Sequence, residues 1–273
     1  MSDTPSEPPP DTTRALFVPS GDAWLPTVYS RGPWSPDALH GGPVAALVAR
    51  EFESVDAPIP ARLSRLTMEL LRPVPLAPLR VTTEVVRPGA KVATIDATVT
   101  RVDDGTVVAI ARAQRIRSAS LEFPDGVDDE LPEFPERTTE LARWPGSADI
   151  TFHGNAVEHR FLHGAFGDAG PAFDWTRLAV PVVPGEVPSG WQRAAAAADF
   201  TNGISAVVPF DPHAVFINPD LTVHLWREPV GEWIGSDAVT RTSDSGIGLA
   251  EAALWDRTGR IGSGLQSLLL DRK

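Results

Sequence analysis

The 273-residue sequence predicts an α+β fold in which one small helix-then-sheet unit occurs twice. Leu66-Thr67-Met68-Glu69-Leu70-Leu71-Arg72 and Leu221-Thr222-Val223-His224-Leu225-Trp226-Arg227 read almost alike, about 155 residues apart. Each opens a β-rich run that closes on a turn containing Asp and Gly, and each follows an Ala-rich, helix-like segment. Two copies of one unit place any site where the copies meet.

Taken in order, residues 1–14 are proline-rich and polar, too poor in apolar surface to offset the entropy of ordering, and are expected to form a disordered tail. The short apolar pieces from Leu16 to Ser30, broken by Gly21, Asp22 and Pro26, suggest a hairpin. A loop from Arg31 to Pro43 leads into a helix over Val44–Glu51, with Pro43 in the first turn, where its missing N–H costs nothing. Small residues all round that helix imply close burial against a sheet. Strands follow at Leu66–Leu71, Leu79–Val86, Val92–Arg101 and Thr106–Arg117, divided by Pro73-Val74-Pro75, Pro88-Gly89 and Asp103-Asp104-Gly105. Residues 119–148 form an acidic, proline-containing connector. The second unit brings strands at Val157–Ala165 and Phe173–Val183, then a helix over Trp191–Phe200 rich in alanine, the best helix former. Strands return at Ala214–Ile217, Leu221–Trp226, Trp233–Arg241, Gly248–Asp256 and Ile261–Leu270. The units are therefore 15–118 and 149–273.

Composition narrows the function. The formal charge of −12 and a pI near 4.9 argue against nucleic acid as a partner, because phosphate-backbone binding needs a basic surface. The absence of cysteine removes disulfides, thiolate zinc sites and Cys nucleophiles together. No apolar run reaches a membrane span and Met1–Asp11 lacks a leader pattern, so a cytoplasmic protein is expected. There is no Gly-x-Ser-x-Gly elbow and no Gly-x-x-x-x-Gly-Lys loop. His153, His159 and His163 lie close in sequence but without a partnered carboxylate motif, so no metal and no cofactor are expected.

His40-Gly41-Gly42-Pro43 before the first helix, Arg72-Pro73-Val74-Pro75, Ala198-Asp199-Phe200, Asn218-Pro219-Asp220-Leu221-Thr222 and Gln266, in this order, resemble the acyl-CoA thioesterase II (TesB-like) family. The resemblance runs from about residue 14 to the end. It implies a double hotdog, two long helices each wrapped by an antiparallel sheet with the sheets continuous. It also implies hydrolysis of an acyl-CoA to free acid and CoA within lipid metabolism, no membrane partner, and a homodimer or higher homo-oligomer. Carried across, the family's acid, small polar residue and glutamine fall on Asp199, Asn218 and Gln266. The middle position is most familiar as Thr or Ser. Asn218 can orient a water, but it cannot relay a proton as a hydroxyl does.

In that reading Asp199 is the general base, at a helix C-terminus where dipole and burial both disfavour its charge. Asn218 and Gln266 hold water or carbonyl, and His40, Gly41 and Gly42 bind substrate, the helix N-terminus offering a free N–H to the oxyanion. Plainer roles stand beside these. Asp199 could cap the Thr201-Asn202-Gly203 turn, Asn218 could serve the turn before Pro219, Gln266 could be a satisfied core amide, His40 could fix its loop, and the glycines could simply permit close packing. A non-catalytic acyl-CoA-binding protein is one alternative. A hotdog hydratase or dehydratase is another, although the His-Phe-Pro and Asp-x-Asn-Pro-x-His patterns are absent.

Overall fold

A computed structural model describes residues 14–122, 129–141, 150–207 and 214–272. The expected tail, save Arg14, lies outside these, as do residues 123–128 and 142–148 of the expected connector.

The chain lays down β1 (Phe17–Ser20), β2 (Ala23–Pro26), α1 (Gly41–Ser54), β3 (Ala61–Leu70), β4 (Leu79–Arg87), β5 (Val92–Arg101) and β6 (Val107–Arg117). The second half supplies β7 (Val157–His163), β8 (Ala172–Leu178), α2 (Gly190–Ala198), the one-turn α3 (Thr201–Ile204), β9 (Ala214–Ile217), β10 (Asp220–Leu225), β11 (Ile234–Thr242), β12 (Ile247–Asp256) and β13 (Gly259–Arg272). One antiparallel sheet runs β1-β2-β4-β5-β6-β3-β10-β13-β12-β11-β8-β7, with β9 on the far end of β13. That order is a palindrome about β3 and β10. The two similar heptads are partners there: Leu66 faces Val223, Thr67 faces Thr222 and Met68 faces Leu221, with the threonine hydroxyls 3.2 Å apart. The repeat in the sequence thus marks a local twofold axis through a continuous double-hotdog sheet.

Alternation decides which face of the sheet is covered. Leu66 and Met68 of β3, Ile95, Ala97 and Val99 of β5, and Leu221 and Val223 of β10 are buried beneath the helices, while their neighbours in sequence look outward. Helix α1 is buried from Gly42 through Ala49, and α2 over most of its length, because small side chains let the two helices and the sheet approach closely. The helices run antiparallel. Gly42 meets the end of α2 at the Ala196 carbonyl, and at the other end the Ser189 cap of α2 and Gln192 donate to Glu53 near the end of α1, at 2.8 and 3.1 Å. Among the described residues no helix is long and apolar enough to cross a membrane.

The structure differs from the sequence reading at identifiable places. The strand expected over Phe173–Val183 ends at Leu178, and the carbonyls of Pro181 and Val182 instead accept from Leu16 and Phe17 at the other end of the sheet. The segment before β7 is a single π turn, Phe152–Ala156. The described part of the connector is not loose: Phe134 sits between the Arg160 and Arg257 guanidinium groups, 4.9 and 3.7 Å from its ring centre, and Trp233 between those of Arg160 and Arg177. Trp175 adds a 2.8 Å hydrogen bond to the Glu133 carbonyl. The outer face of β8 is thereby covered.

Candidate active site

At one end of the helix pair, residues from four elements converge on one carboxylate. Asp199 caps the C-terminus of α2 and is buried. Its Oδ1 accepts from Asn218 Nδ2 at 3.1 Å and from Gln266 Nε2 at 3.4 Å, and its backbone carbonyl takes Gln266 Nε2 at 3.2 Å. Its Oδ2 lies 2.7 Å from His40 Nδ1, at the N-terminus of α1. Asp199, Asn218 and Gln266 are therefore neighbours, and His40 completes the group.

Each side chain is held for a physical reason. Gln266 is wholly buried on β13, and an unsatisfied amide there would be costly; Asn202 N–H donates to its Oε1 at 3.0 Å, so both ends are used. Asn218 is half-buried ahead of β10, and its Oδ1 accepts from Asn202 Nδ2 at 3.4 Å. Asn202, on α3, thus closes a ring of hydrogen bonds that sequence reasoning missed, because nothing in the Thr201-Asn202-Gly203 turn distinguishes an inward amide from a turn residue. Among the described residues that turn gives no hydrogen bond to the Asp199 side chain, so the turn-capping reading of Asp199 is set aside.

His40 is placed by its backbone N–H, which donates to the Ser30 carbonyl at 2.9 Å, and by Phe152 and Phe200, whose rings stand 5.2 and 5.0 Å from its own. The Gly42 N–H also points at His40 Nδ1, at 3.2 Å. One ring nitrogen cannot both donate and accept. The Asp199 carboxyl at 2.7 Å and the Gly42 N–H at 3.2 Å therefore compete for His40 Nδ1. The glycines are also required by space. A Cβ on Gly41 would stand 2.7 and 2.8 Å from the two Asp199 oxygens, and one on Gly42 would stand 2.9 Å from both the Ala196 carbonyl and the Phe152 ring.

No group of His, Asp and Glu able to hold a metal ion occurs among the described residues. Of the three clustered histidines, His159 binds Asp174 with Nδ1 to Oδ2 at 2.6 Å, and His153 lies buried beside Phe166.

Residues 30–121 match the model of the acyl-CoA thioesterase N-terminal domain, and residues 127–270 that of the acyl-CoA thioesterase C-terminal domain. The chain belongs to the acyl-CoA thioesterase family. Solved structures show the same fold at low identity. A hotdog-fold protein of unknown function from Alicyclobacillus acidocaldarius is 16% identical with a TM-score of 0.70, covering 94% of this chain and 96% of that one. Acyl-CoA thioesterase II TesB2 from Mycobacterium marinum is 17% identical with a TM-score of 0.65, covering 93% of each. The tesB protein of Mycobacterium avium subsp. paratuberculosis is 15% identical with a TM-score of 0.64, covering 93% of this chain and 95% of that one. Comparison with curated proteins finds no match.

Two expectations for this acyl-CoA thioesterase family chain follow from the geometry. Gly41→Ala should push the Asp199 carboxylate off His40 and lower turnover about tenfold or more, because the added methyl has no room; steady-state kinetics on an acyl-CoA would measure it. The second concerns pH. Burial lowers the His153 imidazole to about 3, and the neighbouring His40 and His159 rings add to the shift from its ordinary 6.5. Between these values the unfolded chain holds a proton that the folded one refuses, so the His153 contribution to stability falls as pH drops through that window. Urea unfolding from pH 7 to 4 should show a shallower loss of stability for His153→Phe than for the parent chain.

Proposed function

We propose that this chain hydrolyses an acyl-CoA thioester to free acid and CoA by direct attack of water. The observation that carries the reading is the convergence of His40, Asp199, Asn218 and Gln266, from both halves of the chain, on one buried carboxylate at a helix N-terminus. Family membership supplies the substrate class.

In this reading water forms the new C–O bond at the thioester carbonyl while Asp199 takes its proton. The positive end of the α1 dipole stabilises the oxyanion. Collapse of the tetrahedral intermediate breaks the C–S bond, and the thiolate leaves with a proton returned to it. Asn218 and Gln266 fix the carboxylate by donating to Oδ1. Both Asn218 and Gln266 are neutral, so they add no competing charge.

The 2.7 Å contact favours a second assignment within the same reaction. Asp199 is then the orienting acid, and His40, whose side chain is the more exposed of the two, takes the water's proton at Nε2. Removal of His40 tells them apart. If Asp199 is the base, His40→Ala retains more activity than Asp199→Asn; if His40 is the base, the two fall together.

We also propose a homodimer or larger homo-oligomer. The reading is supported by the exposed row Ile247, Leu269 and Ile217, side by side on β12, β13 and β9. Sedimentation of a monomer at micromolar concentration would remove it.

Thiol release from a panel of acyl-CoA chain lengths tests the function. Turnover on at least one of them, lost in Asp199→Asn, is the expected result. Tight binding with no release at any length would turn the assignment to an acyl-CoA-binding protein.

A further inference from the structure

We infer that His159, clamped by Asp174, is a positioning residue that sets the His40 ring against Asp199. The inference rests on the active-site reading above and adds to it two residues, on β7 and β8, that touch neither substrate nor the reacting atoms.

His159 and Asp174 are almost wholly enclosed, with side chains 1% and 0% exposed. His159 Nε2 lies 3.1 Å from the carbonyl oxygen of His153, and Nδ1 lies 2.6 Å from Asp174 Oδ2. A carbonyl oxygen only accepts, so Nε2 carries a hydrogen. A contact of 2.6 Å between ring nitrogen and carboxyl oxygen needs a second hydrogen between them. Ring and carboxyl therefore hold two hydrogens between them, and the ring cannot turn over without breaking both bonds. Asp174 is in turn fixed by the Arg160 N–H, which donates to Oδ1 at 3.2 Å.

Two routes run from this clamped ring to His40. The first is through Phe200, the residue after Asp199: the His159 ring stands edge-on to Phe200 at 5.2 Å, and Phe200 packs on His40 at 5.0 Å. The second is through the backbone. The Nε2–H bond to His153 ties down the π turn Phe152–Ala156, and Phe152 packs on His40 at 5.2 Å. Phe152 and Phe200 are themselves stacked nearly parallel, 5.4 Å apart with an 8° interplanar angle. Both aromatic walls beside His40 are thus referred to one buried ring. A tilt of either wall would move His40 Nδ1 off its 2.7 Å contact with Asp199.

The test uses the full chain and measures acyl-CoA hydrolysis by the parent, Asp199→Asn, His40→Ala, His159→Phe, Asp174→Asn and the His40→Ala/His159→Phe double variant. His159→Phe keeps a ring of similar shape but loses both hydrogen bonds. Asp174→Asn keeps the imidazole, and stands in should His159→Phe fail to fold. Each is expected to lower kcat roughly ten- to a hundredfold with KM within about threefold of the parent. The double variant should be no slower than His40→Ala alone, since a residue acting through His40 has nothing left to act on. A merely structural role would instead multiply the two losses. In the free protein, the downfield proton resonance of His40 Nδ1–H should weaken or shift in both His159→Phe and Asp174→Asn. A parent-like kcat in folded variants, multiplicative losses, or an unchanged His40 resonance would overturn the inference while leaving the site reading intact. A parent without thiol release, or an Asp199→Asn variant at the parental rate, would defeat the site reading and this inference with it.

Discussion

Asp199→Asn is expected to lower kcat for thioester hydrolysis by about 10²- to 10⁴-fold, the range associated with loss of a positioned acid or base. The replacement is nearly isosteric. Its amide oxygen can still accept from Asn218 and Gln266, so the packing beneath α1 and α2 survives and the melting temperature should move little. What it loses is the negative charge beside His40 and the capacity to take a proton, or to hold an imidazole ready to take one. Kinetics and thermal unfolding on the same preparation separate chemistry from fold. A variant at the parental rate would remove Asp199 from the reaction.

Asp256→Ala should destabilise the chain by about 3 kcal/mol or more, the scale for stripping one partner from a buried ion pair. Asp256 ends β12 with no exposed side-chain surface. It accepts from Arg227 Nη1 and Nη2 at 2.5 and 2.8 Å, and from Val230 N–H, Thr258 N–H and the Thr258 hydroxyl at 2.7 Å each. Burial alone would raise this carboxyl, but the bonds from Arg227, Thr258 and Val230 outweigh it and hold the group at about 2. Because the folded value lies below the ordinary 3.8, the stabilisation is present above 3.8 and is lost as pH falls through about 2. Alanine leaves two amides, a hydroxyl and a guanidinium short of an acceptor at once. Urea unfolding at pH 7 would show the loss, and the difference between variant and parent should shrink at the acid limit. Asp256 lies six residues along β12 from Ala250, the strand partner of Gln266, so kcat of the folded fraction should be unchanged.

Much of this architecture is legible in the sequence, for reasons particular residues make plain. Leu66–Arg72 and Leu221–Arg227 resemble each other because they occupy equivalent places on either side of the β3–β10 junction, where Thr67 meets Thr222. Small residues around α1 announce burial on all sides, and they are buried. Asn218 and Gln266, chosen with Asp199 on resemblance, both donate to its carboxylate. Long-range pairing is what the sequence conceals. The link from His40 to Asp199 depends on the antiparallel setting of two helices, and no local pattern around His40 distinguishes a ring aimed at a carboxylate from one that secures its loop. The His159–Asp174 pair is hidden for the same reason, since β7 and β8 must be in register before the two side chains can meet. Local expectation also fails at Val180–Val183. Apolar β-formers suggest a continuing strand, yet these residues lie against the start of β1, with Pro181 accepting where it could never donate.

The most direct test of the central claim is incubation of the purified chain with an acyl-CoA in water enriched in oxygen-18, following free thiol and the mass of the released acid together. Attack by water at the carbonyl predicts stoichiometric CoA thiol and one labelled oxygen in each acid molecule, both lost in Asp199→Asn. No thiol from any acyl-CoA, or release undiminished in that variant, would contradict it.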